Sequence, residues 1–394
     1  MRGSRKFLAL TAVAAVLVAA CSSSGSSSAP TSAASSAAST APSSAASSAP
    51  STAASTGALT PVKFQLQWVA QSQFAGYYAA VDQGYYKDLG LDVTLLLGGP
   101  NINNVQVVAT GGADIGTAWL PNMLQSREGG TDLVSIAQIF QRSGTRMAGF
   151  KAANITSPAT MAGKKVGSWL GGNEPELFAA LTKAGLDPTK ENIIKQNFDM
   201  SGLLKGDLDV AQAMIYNEYA QVLEAKNPAT GNLYQPADLN VVDFNDASVG
   251  TAMLQDQIFA TDKWLKTGNN ADVATKFLQA TFKGWIFCRD NAQKCVDIVL
   301  AKGSQLGASH QAWQMNEINA LIWPSPAGVG LLDKTLYDQT IQIATTYKVL
   351  KAAPSADATR TDLAQKALDA LGTSVDTKGA SFQKGTVTLN AGGN

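Results

Sequence analysis

The side chains able to do chemistry in this chain are few, and their types favour holding a molecule over breaking its bonds. There is one histidine, His310, and there are three cysteines, Cys21, Cys288 and Cys295. A His-rich metal site is therefore impossible, and a Ser/His/Asp enzyme would need its only imidazole in the right place. His310 sits on a helical pattern with Trp313, Met315 and Glu317 and no paired nucleophile, so it reads as a packing or surface residue. What remains is a set of aromatic, amide and carboxylate side chains at the ends of strand-like runs. Trp68, Trp119 and Trp169 end such runs, where their rings can stack on a flat molecule. Glu174 opens a helical run and Glu218 follows a strand-like one, and a carboxylate there can accept hydrogen bonds from amino or ring N–H groups.

Composition narrows the rest. Thirty basic and thirty acidic residues cancel, so no basic field recruits nucleic acid. Only 15% of residues are charged, and the shortfall is local: none from Cys21 to Val62 carries a charge. At 394 residues, 45% of them apolar, the chain is long enough for two domains with packed cores.

The elements that must position these side chains alternate. Strand-like runs at 62–68, 92–97, 114–118 and 133–140 are separated by helical patterns at 74–81, 103–110 and 122–128, which is the α/β signature. The 133–140 strand reads as continuing past Ser143-Gly144-Thr145. After Pro158 the alternation restarts, with strands at 164–169, 193–199, 211–216 and 240–244 and helices at 174–184 and 219–225. From Thr261 onward the chain is mostly helical, and 385–389 reads as a late strand. Helices at 271–287 and 296–302 flank a turn at Arg289-Asp290-Asn291.

The N-terminus reads as an address. Arg2, Arg5 and Lys6 precede an apolar run from Phe7 to Ala20, too short to span a membrane, so 1–20 is a signal peptide. The ending Val18-Ala19-Ala20-Cys21 resembles a bacterial lipobox, in which Cys21 would be lipidated and tether the exported chain to the outer face of the cytoplasmic membrane. Residues 21–60 then form a Ser/Ala/Pro linker that lacks the apolar surface to order itself. In an exported protein, Cys288 and Cys295 are expected to form a disulfide. The pair offers too few ligands for a metal, and no metal or cofactor is expected.

Several segments, in order, carry a resemblance. Gln67-Trp68, Phe74-Ala75-Gly76-Tyr77-Tyr78, Gly84-Tyr85-Tyr86, Gly90-Leu91-Asp92-Val93, Gly112-Ala113-Asp114-Ile115-Gly116 and Gly163-Lys164-Lys165-Val166-Gly167 resemble the ABC-importer solute-binding proteins. The branch is the one grouping binders of thiamine pyrimidine precursors with nitrate-, sulfonate- and taurine-binding proteins. The resemblance covers about 62–345. It implies an α/β, periplasmic-binding-protein-like (type II) two-lobe clamshell with two hinge crossovers. Lobe 1 would be 61–145 plus 250–394 and lobe 2 would be 146–249, with crossovers near 141–147 and 244–250. It also implies a monomer that is not an enzyme, whose partners are a small-molecule ligand and an ABC permease with its ATPase.

Ligands of open α/β sheets contact the loops beyond the carboxyl ends of strands. Those loops offer Trp68, Gln73, Tyr77, Trp119, Gln141, Arg142, Trp169, Asn173, Glu174, Tyr216, Asn217, Glu218 and Asp246 as ligand-binding candidates. The set is aromatic and acidic, which suits an aminopyrimidine. A sulfonate or nitrate would prefer bare backbone N–H groups at a helix start, where Glu174 stands. Second readings stay open: Trp68, Trp119 and Tyr77 as core, Glu174 as a partner of the helix dipole, Arg142 as a hinge salt-bridge residue. Riboflavin, sulfonate, nitrate or taurine binding are the alternatives within the fold. A pyrimidine-synthesis enzyme is the alternative outside binding.

Overall fold

The computed structural model describes residues 57–394. The expected signal peptide (1–20), Cys21 and all but the last residues of the expected linker (21–60) lie outside the described residues. Four strands, β1 (Thr60–Gln65), β2 (Leu91–Leu96), β3 (Ile115–Trp119) and β4 (Leu133–Gln138), alternate with helices α1 (Ala75–Asp82), α2 (Asn104–Ala109) and α3 (Leu120–Glu128). Five more strands follow: β5 (Thr145–Phe150), β6 (Val166–Ser168), β7 (Ile193–Lys195), β8 (Val210–Met214) and β9 (Leu239–Asp243). Helices α4 (Pro175–Lys183) and α5 (Glu218–Leu223) lie between them. A tenth strand, β10 (Asp256–Thr261), precedes the helical region α6 (Asn270–Asp290), α7 (Ala292–Ala301), α8 (Ala308–Ile322), α9 (Lys334–Thr346) and α10 (Thr361–Asp369).

Two five-stranded sheets result, in the orders β2-β1-β3-β10-β4 and β7-β6-β8-β5-β9. They share one plan. In each, the first three positions run parallel, and the fourth is filled by an antiparallel strand arriving from the other sheet. Thus β5 leaves the first lobe for the second, and β10 returns. The fold is the two-lobe periplasmic-binding-protein α/β fold, and the chain crosses between sheets at 139–144 and 244–255. The 133–140 strand therefore does not run on through Gly144: it breaks, and its continuation pairs with β8 and β9 instead.

Burial explains which runs became strands. β4 is buried at every position, as expected for a sheet covered on both faces. β10 is nearly so, but opens with Asp256-Gln257, a polar start that hides it in the sequence. In the first lobe, α1 lies against α6 closely enough that a Cβ on Gly284 would sit 2.0 Å from the Gly76 carbonyl oxygen, and one on Gly76 would strike Trp285. Only glycines allow that approach. A disulfide joins Cys288 to Cys295 with both side chains buried. The expected turn there is shorter than its sequence suggests: α6 runs through Asp290, and Asn291 alone separates it from α7. The 385–389 segment pairs with no strand; a reciprocal pair of hydrogen bonds between Asn316 and Gly385 holds it against α8.

Candidate functional site

The carboxyl ends of both sheets face a cleft of about 740 Å³ between the lobes. Its walls are aromatic. Trp68 follows β1 and Trp119 ends β3 in the first lobe; Trp169, Phe198 and Tyr216 follow β6, β7 and β8 in the second. Phe198 is 41% exposed and bridges the gap. Its ring centroid lies 4.7 Å from Trp68 across the cleft and 6.4 Å from Trp169, to which it is nearly parallel at 13°. Phe198 lies inside the 193–199 run that reads as one strand; β7 stops at Lys195, which makes Phe198 a strand-end residue.

The floor is polar. Asn217 and Glu218 open α5, and Glu218 accepts hydrogen bonds from the Met214 N–H at 3.0 Å and the Asn217 amide at 2.7 Å. Burial pushes its carboxyl up to about 7 against those bonds. Asp256 begins β10 beneath the first-lobe wall, accepting from Gln67 at 2.7 Å and from Gln73 at 2.8 Å. Burial lifts it to about 6, while hydrogen bonds from Gln73, Gln67 and Trp119 hold it down. Asp256 was not among the sequence candidates, since its strand was not recognised.

Of the thirteen candidates, Trp68, Gln73, Trp119, Trp169, Asn173, Tyr216, Asn217 and Glu218 line the cleft. Five do not. Tyr77 is buried in the first-lobe core against Phe64 and Trp285, because that face of α1 turns inward. Gln141 is buried and donates to the carbonyls of Gln138 and Leu331. The Arg142 guanidinium lies 3.2–3.4 Å from the carbonyls of Ala320, Leu321, Trp323 and Pro324, capping the negative end of α8 and pairing with no carboxylate. Glu174 folds back on its own loop to accept from the Gly172 N–H at 2.9 Å. Asp246 is exposed, its carbonyl closing the turn with Val249 and Gly250.

Two further groups hold the cleft in shape. Glu176, in the first turn of α4, accepts from Ser143 at 3.0 Å on one crossing, and from the Met253 N–H at 2.6 Å and Gln255 at 3.2 Å on the other. Burial pushes it up to about 7. Helix α8 forms a brace behind the cleft. Its Gln311 and Gln314 accept from the backbone N–H groups of Ser72 and Gln73 in the first-lobe wall, at 2.7 and 3.1 Å. Its Trp313 donates to the Ile215 carbonyl at 2.9 Å, and His310 contacts Glu224 at 2.8 Å and Asn217 at 3.0 Å, all in the second lobe. His310 is thus a fully buried link between lobes. Among the described residues no group of three or more His, Cys, Asp or Glu side chains is placed to hold a metal, and no helix is long and apolar enough to cross a membrane.

Comparison with known proteins gives one matching family model, described as NMT1/THI5 like, over residues 71–295. A formylaminopyrimidine-binding protein of Halalkalibacterium halodurans is 21% identical over 244 residues, spanning 61% of this chain and 70% of that protein. Two solved structures share the fold at low identity. One is the ligand-binding component of an ABC-type import system from Staphylococcus aureus, with zinc bound (12% identity, TM-score 0.56, 78% of this chain and 99% of that one). The other is an alkanesulfonate-binding protein from Xanthomonas axonopodis pv. citri bound to MOPS (11% identity, TM-score 0.57, 77% and 99%).

Proposed function

The chain belongs to the NMT1/THI5-like family, and from that premise we propose that it is the solute-binding lipoprotein of an ABC importer. It would capture a small heteroaromatic nutrient, of the thiamine-pyrimidine-precursor kind, between its lobes and deliver it to the permease and its ATPase. The observation that carries this reading is the cleft: strand-end aromatic rings from both lobes face one space, with the Glu218 carboxylate at its floor. A flat ring touching Trp68 or Trp119 in the first lobe and Phe198, Trp169 or Tyr216 in the second would touch both lobes at once, and ligand contacts shared by two lobes are what stabilise a closed clamshell. The formylaminopyrimidine-binding relative supports the same ligand class.

Lobe 1 is taken as 61–145 plus 250–394 and lobe 2 as 146–249. Cys21 would carry the lipid anchor on the outer face of the membrane, and the molecule would act as a monomer without catalysis. An alkanesulfonate is the less favoured ligand. Among the described residues Lys195 is the single cationic side chain in the lining, and Glu218, where ionised, would oppose an anion.

The test is calorimetric titration of the purified protein with aminopyrimidines, a flavin and an alkanesulfonate. An aminopyrimidine should bind, and Trp169→Ala should weaken it by roughly two- to tenfold, as loss of one aromatic stack implies. Binding of the sulfonate with no response to any pyrimidine would defeat the proposal.

A further inference from the structure

The hydrogen bonds on the first-lobe side of the cleft run in one direction, and Asp256 is their origin. Asp256 is 2% exposed, and both carboxylate oxygens are engaged, Oδ1 by Gln67 Nε2 and Oδ2 by Gln73 Nε2. A carboxylate only accepts, so each glutamine must turn its amino group toward Asp256 and its carbonyl away. Gln73 then offers Oε1 to Gln71, which donates from Nε2 at 2.7 Å. This leaves Gln71 with its own Oε1 outermost. That oxygen is buried and has no partner, on a side chain 2% exposed that lines the cleft.

Gln67 lines the cleft too, with its carbonyl turned from Asp256. Asn173, also in the lining, gives one N–H to the Leu170 carbonyl at 3.0 Å, which orients its amide and leaves its side-chain oxygen without a partner. Glu218 adds a carboxyl group whose oxygens also accept from the Met214 N–H and Asn217. Burial leaves Asp256 near 6, so it is ionised at neutral pH, as this ordering of amides requires.

We propose that Asp256 sets the hydrogen-bonding polarity of the cleft: acting through Gln67, Gln73 and Gln71, it fixes a lining of acceptors that selects a flat ligand bearing N–H donors. An exocyclic amino group on a heteroaromatic ring meets that lining. The same ring carrying a carbonyl oxygen there meets acceptor against acceptor, a mismatch that a buried site punishes far more than a missing methylene. The inference rests on the cleft being the ligand site proposed above, and it makes Asp256 a positioning residue, acting through its neighbours.

The discriminating experiment compares two near-isosteric probes, 4-aminopyrimidine and pyrimidin-4-one with matching ring methyls, by calorimetry on the full-length protein. Wild type should favour the amino probe at least tenfold. Asp256→Asn places one donor and one acceptor where there were two acceptors, so one of the two glutamines must reverse; the preference should collapse toward unity or invert. Gln71→Met leaves the Asp256 pairs in place and removes the outermost acceptor together with the N–H that Gln71 gives Gln73 Oε1. It should lower amino-probe affinity several-fold and reduce the ratio at a somewhat lowered melting temperature, and it decides the matter if Asp256→Asn does not fold. A wild-type preference that survives unchanged in Gln71→Met, and in Asp256→Asn if that variant folds, overturns the role given to Asp256 and leaves the ligand reading intact. A wild type that binds neither probe defeats both.

Discussion

At the scale of single residues, Glu176 sits in an environment poorly suited to a charge. It is buried where the two crossings meet, and burial lifts its carboxyl to about 7. A folded value above the unfolded one means that the native state holds the proton more tightly than the unfolded chain does. The stability it contributes is full below about 4.5 and is lost as pH rises through about 7, a change on the order of 3 kcal/mol for this one group. Glu176→Gln should remove that share of the slope. Urea denaturation of both proteins between pH 4.5 and 8 checks it, and parallel curves would refute it. Glu218 and Asp256, also raised, keep their own contribution of the same sign in both proteins. Part of this chemistry was legible in sequence. Strand ends can be recognised, and Trp68, Trp119, Trp169, Tyr216 and Glu218 do line the cleft. A helical period gives a face but not the direction it turns, and Tyr77 takes the core place that its spacing leaves open. A crossover residue can serve the hinge as readily as the cleft, and Gln141 and Arg142 bond to backbone carbonyls there.

At the scale of elements, the contact of α1 with α6 gives the clearest prediction. Gly284→Ala would drive a methyl group into the Gly76 carbonyl, so the helices must separate. The expected cost is about 1–3 kcal/mol, typical of overpacking a tight interface. It is read as a lowered urea midpoint, and an unchanged midpoint would mean that the helices are not held this close. The contact also gives a physical reason for the glycine in the 74–78 run. Most strands were legible because alternation and turn residues bound them. β10 was not, because its buried sequence begins Asp256-Gln257, and those polar groups find their partners only in the folded protein. The 385–389 run fails in the opposite way: its Thr/Val alternation looks like a strand, but no neighbour lies there to pair with it.

At the scale of the whole molecule, α8 ties the two walls of the cleft together, through Gln311 and Gln314 on one side and His310 and Trp313 on the other. His310→Ala would leave Glu224 and Asn217 buried without that partner, a loss of about 2–4 kcal/mol. Amide hydrogen exchange should accelerate in 215–224 while the strands of the first sheet keep their protection. Unaltered exchange in 215–224 would show that the imidazole does not hold the lobes. The interleaved sheet order has another consequence, for the growing chain. β4 emerges from the ribosome with no neighbour to pair with, because β10, which separates it from β3, is not yet made. The second sheet, by contrast, is one continuous stretch from β5 to β9 and can complete itself first. The earliest part of the polypeptide is therefore the last to be sealed, its apolar strands waiting with open edges for a segment still to be synthesised. That interval is when a chaperone would have something to hold.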